Sequence, residues 1–162
     1  MESVYLETSF ISYLTPKLSA SLRIALRQQI SRDWWQTKRH EYTLYISDQV
    51  LIEARAGDPT AAAERAALIQ GIEVLKTTAE VLKLADEYAV LLKLPGHAAA
   101  DALHLAMASV SKADYLLTWN LKHIANPHHI RRLTEYNLST QQHTPLILTP
   151  ETLASEDIED GI

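Results

Sequence analysis

Five short apolar runs, each followed by a stretch with helical character, set the tightest limit on how this chain folds. They cover residues 4–6, 41–47 ("EYTLYIS"), 72–75 ("IEVL"), 113–118 ("ADYLLT") and 145–149 ("PLILT"). Strands joined through helices lie parallel, and a parallel sheet is covered on both faces. The pattern therefore predicts an α/β fold with a mostly parallel five-stranded sheet. Turn chemistry supports the boundaries. Thr8 or Ser9 is placed to cap a helix after the first strand, and Ser47 or Asp48 one after the second, which Gly57 and the Asp58-Pro59 pair close. An alanine-rich helix is expected over 60–70, stopped by Gly71. A capping box of Thr77 and Glu80 should open the next, which ends at "LPG", residues 94–96. Helices are also expected over 98–111, from Pro127 through Arg131 and Arg132, and from Pro150 with Thr149 as cap. Residues 19–40 read as a long amphipathic helix with Leu22, Ala25, Leu26 and Ile30 as its apolar stripe. Neither repeat nor linker divides the chain. Residues 1–162 form a single expected domain, its last few acidic residues open to disorder.

Composition removes several classes of function. Without cysteine there is no disulfide framework, thiolate zinc site or thiol nucleophile. Glu2 stands where a signal peptide carries basic charge, and the apolar runs fall well short of the roughly 20 residues of a spanning helix. A cytoplasmic protein without membrane association is the expectation. The formal charge of −5 argues against a nonspecific nucleic-acid coat but not against a nuclease, whose carboxylates are themselves acidic. Phosphate-binding glycine loops, H-E-x-x-H and G-x-S-x-G are missing, so nucleotide-cofactor, zinc protease and serine hydrolase chemistry lack their minimum features.

In an open parallel sheet, side chains at the carboxyl ends of the strands converge on a ligand crevice. Glu7 ends the first strand, where it serves either as a cap-like acid at a helix N-terminus or as a metal ligand. Glu53, at i+3 from Val50, falls at the edge of the inward stripe of its helix. Asp101 lies among alanines in "HAAADALHLAMA", a costly place for an unpaired acid. Asn120 follows the fourth strand, as a turn former or as an amide ligand that Thr118 orients. Carboxylates gathered in one crevice repel each other, and a hard cation such as Mg²⁺ or Mn²⁺ relieves that repulsion. Such a cation lowers the pKa of bound water and stabilises charge on a phosphodiester under attack.

Other residues admit a plainer account. His97, Asp101 and His104 share a helical face, but a zinc site needs three close ligands, and His104 reads as a packed or interface histidine. His123, His128 and His129 read as a solvated loop cluster within reach of phosphate. Arg23, Arg27, Arg32, Lys38 and Arg39, with Trp34 and Trp35 among them, form either a solvated face with core anchors or an RNA-steering arm.

Taken together and in order, "VYLETSFISYL", "SDQVLIEARAGDP", "DALHLAMA", "ADYLLTWNLKHI" and "PLILTPETL" resemble the PIN domain, in particular the VapC-like toxins of toxin–antitoxin pairs. The resemblance spans almost the whole chain. It implies a PIN-like three-layer α/β/α sandwich acting as a Mg²⁺- or Mn²⁺-dependent endoribonuclease on RNA, a homodimer, and a small antitoxin as inhibitor. Glu7, Glu53, Asp101 and Asn120 then match the acidic metal-binding positions, and Thr118 with Thr8 or Ser9 the supporting hydroxyls. Two positions depart from the pattern. Glu7 stands for an aspartate, and Asn120 removes a charge, so that one ion is firmly held and a second arrives only with substrate. Asp114 lies before the fourth strand, toward the opposite edge of the sheet, and cannot replace Asn120. The competing reading is a noncatalytic RNA- or protein-binding module of the same fold.

Overall fold

The computed structural model describes residues 1–154 and contains one five-stranded sheet. Its strands are β1 (Ser3–Leu6), β2 (Thr43–Ser47), β3 (Glu73–Leu75), β4 (Tyr115–Leu117) and β5 (Leu146–Leu148). They run in the order β3-β2-β1-β4-β5, and every neighbouring pair is parallel. The most uniformly apolar strands are central. Val4, Tyr5 and Leu6 of β1 and Leu116 and Leu117 of β4 are fully buried, while Glu73 and Val74 of β3 and Leu146 of β5 are exposed on the edge strands. A strand covered on both faces needs apolar side chains on both, and only the central runs supply them.

Eight helices connect and cover the strands, giving the expected three-layer α/β/α sandwich: α1 (Thr8–Ser12), α2 (Leu22–Thr37), α3 (Asp48–Ala54), α4 (Pro59–Ile69), α5 (Ala79–Leu91), α6 (Ala99–Val110), α7 (Pro127–Thr140) and α8 (Pro150–Leu153). The chain winds from β1 outward through β2 to β3, then crosses to β4 and β5 on the other side. That reversal opens a crevice beyond the carboxyl ends of β1 and β4. Glu7 and Thr118 are the first residues past those ends. Asp114 is held at the opposite end, accepting hydrogen bonds from the Ser3 backbone N–H at 2.7 Å and the Ser3 hydroxyl at 3.1 Å. No helix among the described residues is long and apolar enough to cross a membrane.

Three local expectations are corrected. The buried face of α2 is Gln28, Ser31 and Trp34, whereas Leu22 and Leu26 are 86% and 60% exposed. Gln28 and Ser31 are satisfied, which offsets the cost of burying them, while the Trp34 indole N–H is buried without a partner among the described residues. Gln28 accepts from the Ser19 N–H and donates to the Lys17 carbonyl, and Ser31 accepts from the Trp119 indole N–H at 2.7 Å. The cap of α1 is Glu7 itself, whose carboxylate accepts from the Ser9 N–H, rather than Thr8 or Ser9. The cap of α5 is Thr78 rather than Thr77. Thr77 instead donates through its backbone N–H and its hydroxyl to Asp48, tying β3's exit to the start of α3. Thr78→Ala is therefore expected to cost about 1 kcal/mol, read as a lowered urea midpoint. An unchanged midpoint would return the capping role to its neighbour. The acidic end of the chain, with its expected disorder, lies outside the described residues.

Candidate metal centre

Glu7 is nearly inaccessible yet polar, and its surroundings explain how it is tolerated. One carboxylate oxygen, Oε2, accepts from the Ser9 N–H at 3.1 Å, from the Thr118 hydroxyl at 2.7 Å and from the Ser9 hydroxyl. Ser9 in turn accepts from the Trp119 N–H at 2.8 Å, and Thr118 from the Asn120 N–H at 2.9 Å. The exits of β1 and β4 are thus laced together around one carboxylate. The other oxygen, Oε1, lies 4.0 Å from Nε2 of His104.

Glu53 reaches the same point from the last turn of α3, accepting from the Thr8 hydroxyl at 2.7 Å and lying 2.5 Å from His104 Nε2. Both hydroxyls of the "ETS" turn are therefore used, one on each acid. His104 is fully buried, and its Nδ1 is 2.7 Å from the Tyr5 hydroxyl, itself 2.8 Å from the Ser47 hydroxyl. Burial lowers the His104 pKa, but the hydrogen bond to Glu53 and the charges of Glu7, Glu53 and Asp101 outweigh it, leaving a net rise from the ordinary 6.5. Burial likewise raises Glu53, and the His104 hydrogen bond and charge, with the Thr8 hydroxyl, bring it below its ordinary value. The two shifts agree on one arrangement. Both favour the charged pair in the metal-free protein, where a protonated His104 can donate through Nε2 to Glu53 and through Nδ1 to the Tyr5 hydroxyl, whose own pKa burial pushes far up.

Ligand atoms of Glu7, Glu53 and His104 all lie within 4.8 Å of one another, a spacing that a single metal ion spans. Asp101, in the first turn of α6 one turn before His104, is not in that grouping but lies near enough to interact electrostatically with His104 and Glu53. Its carboxylate accepts from the Asn120 amide at 2.9 Å, and burial outweighs that bond to raise its pKa. The Asn120 side-chain oxygen accepts from the His123 N–H at 3.0 Å. Of the residues expected in the crevice, Glu7, Glu53 and Thr118 are thus joined in one network, while Asp101 and Asn120 pair with each other at its flank. His104, which the sequence reads as a packed or interface histidine, is the residue that joins the cluster unexpectedly. Its i+3 spacing from Asp101 put it on the same helical face, but the acid of α3 that would meet it was not visible in the spacing.

The residues of the basic stretch make different local contacts. Trp34 is core, packed edge-on against Phe10, while Arg39 stacks on Trp35 at 4.7 Å and Arg32 donates to the Thr15 carbonyl. Arg27 lies over Trp119, beside the exit of β4, with its guanidinium carbon 5.2 Å from the ring centre. His123 and His129 are stacked at 6.2 Å, with His97 against His123.

No family model matches the sequence, and no curated protein does. Solved structures do. VapC20 of Mycobacterium tuberculosis, a sarcin-ricin loop cleaving toxin, superposes with a TM-score of 0.59 at 21% identity, covering 74% of this chain and 92% of its own. The fold is PIN-like. A second match is VapBC2 of Rickettsia felis, bound to a DNA fragment from its promoter, with a TM-score of 0.57 at 15% identity over 90% of this chain and 97% of that one. At these identities the likeness establishes the architecture. The chemistry rests on the side chains of this chain.

Proposed function

We propose that this protein is a divalent-metal-dependent endoribonuclease, the toxin of a toxin–antitoxin pair. The observation that carries the reading is the convergence of Glu7, Glu53 and His104 at the carboxyl ends of β1 and β4, with Asp101 alongside. Three carboxylates against one imidazolium leave an excess of negative charge, and the donor set of carboxylate oxygens suits Mg²⁺ or Mn²⁺. Glu7 and Glu53 would hold the ion, with Asp101 as the third carboxylate from the flank, and the ion when bound supplies an acidic water and a counter-charge for the phosphate.

The protein's own groups do the positioning. Ser9 and Thr118 fix one oxygen of Glu7 so that the other stays turned toward the cluster. Thr8 and His104 hold Glu53 in the same way, and Asn120 aims Asp101 without adding charge. One tightly held ion follows from that missing charge. The likeness to VapC20, a sarcin-ricin loop cleaving toxin, supports RNA as the substrate, and the likeness to VapBC2 supports a small antitoxin as partner. We assign the active form to a homodimer in the cytoplasm.

The test is cleavage of a pool of labelled single-stranded and structured RNAs with Mn²⁺ or Mg²⁺, beside EDTA and an Asp101→Asn control. Cutting should require metal and fall at least about 100-fold in the control. Asn120 favours the rival reading, a noncatalytic binding module, because its oxygen is already engaged by the loop. That reading takes over if the folded wild type cuts nothing and calorimetry finds no Mn²⁺ binding even with RNA present.

A further inference from the structure

We infer that Arg27 is a phosphate clamp that seats the RNA strand beside the carboxylate cluster, a subsite that rests on the nuclease reading and adds a positioning residue to it. Arg27 lies in the second turn of α2, the helix that leads from the crevice end of the sheet back to the start of β2. Its guanidinium sits over the ring of Trp119, with 5.2 Å between the guanidinium carbon and the ring centre. Among the described residues it makes neither a hydrogen bond nor an ion pair through its side chain. Two further arginines, one on this helix and one at its exit, are occupied elsewhere, and Arg23 is exposed one turn before Arg27. Arg32 donates to the Thr15 carbonyl, and Arg39 stacks on Trp35 at the helix's far end.

The indole beneath Arg27 is fixed from three sides. Its N–H donates to Ser31, one turn further along the same helix, and the Ser31 hydroxyl donates to the Arg27 carbonyl. Tyr13 meets it edge-on at 6.0 Å. The Trp119 backbone N–H donates to Ser9, whose hydroxyl donates to Glu7. A continuous chain of contacts therefore runs from the guanidinium to the proposed ion ligand.

Stacking on an aromatic face leaves the planar edge of a guanidinium, with its fork of N–H donors, directed outward, and restricts the side chain before any ligand arrives. That edge matches two oxygens of a phosphodiester. A chain with a formal charge of −5 and a carboxylate-lined crevice repels RNA, so an unpaired cation held at the lip has a task that a solvated surface arginine lacks. The clamped phosphate neighbours the scissile one on the same strand. Arg27 does not touch the reacting atoms.

The experiment compares wild type, Arg27→Gln, Arg27→Lys and, as a control for net charge, Lys83→Gln on the exposed side of α5. Binding of labelled RNA is measured in EDTA across a salt series, and cleavage is measured with Mn²⁺. Arg27→Gln should weaken binding about tenfold, with a log–log salt slope smaller by about 0.7. It should raise KM while leaving kcat within about twofold. Arg27→Lys should recover only part of the loss, because an ammonium lacks the fork. Equal binding and equal slopes for Arg27→Gln and Lys83→Gln would overturn the clamp. Binding that depends on Arg27 in a wild type that never cuts would keep the clamp and overturn the nuclease reading. RNA that does not bind wild type at all would overturn both.

Discussion

Glu7→Gln is expected to cut RNA about a thousandfold more slowly than wild type, a loss of about 4 kcal/mol in transition-state stabilisation, while unfolding at nearly the same urea concentration. The pairing of those two outcomes follows from how the two oxygens are used. Oε2 caps α1 and accepts two hydroxyl donors, and a glutamine carbonyl of the same length keeps an acceptor with two lone pairs in front of those donors. Oε1 faces His104 and Glu53, where the cation would bind, and there the substitution replaces a negative oxygen by an amide N–H. The architecture survives and the charge is lost. Single-turnover cleavage at saturating Mn²⁺ beside urea denaturation separates the two. A rate within tenfold of wild type would remove Glu7 from the metal site and leave it a helix cap.

Much of this arrangement was legible in the chain, for reasons tied to particular residues. The alternation of strand and helix fixed a parallel sheet, and a parallel sheet puts strand-end polar groups in one crevice, so Glu7 and Thr118 could be located from pattern alone. Asp101 was legible because an acid among alanines has a cost that needs a partner. Its partner was not, since the Asn120 amide meets it through a fold-level contact between α6 and the exit of β4. His104 was underweighted for the same reason. A histidine on an apolar face is ordinarily packed, and only the meeting of α6 with Glu53 on α3 and Tyr5 on β1 turns it into part of the cluster. The inward face of α2 was misread because Gln28 and Ser31 are buried against their hydrogen-bonding preferences for water. Both are satisfied by loop and indole groups distant in sequence, which hydropathy does not register.

The His104 pair also carries the second large effect. His104→Leu is expected to destabilise the metal-free protein by about 3 kcal/mol, the low end of the range for breaking a buried pair, since the Glu53 side chain is 28% exposed and keeps Thr8 as a donor. Leucine fills a similar volume, so the loss reports the missing hydrogen bonds and charge rather than a cavity. Its pH dependence has a definite sign. His104 is raised from 6.5, so its contribution is complete below 6.5 and fades as pH climbs through the higher folded-state value. Glu53 is lowered from 4.5, so its contribution is complete above 4.5 and fades as pH drops through the lower folded-state value. Both describe the same ion pair, and the stability gap between wild type and His104→Leu should therefore be widest from pH 4.5 to 6.5 and narrow on either side. Urea unfolding of both proteins in EDTA over that range measures it, and the difference cancels titrations the two share. A gap that widened steadily with rising pH would mean that His104 is buried neutral, and that the cluster carries one more uncompensated negative charge than the geometry describes.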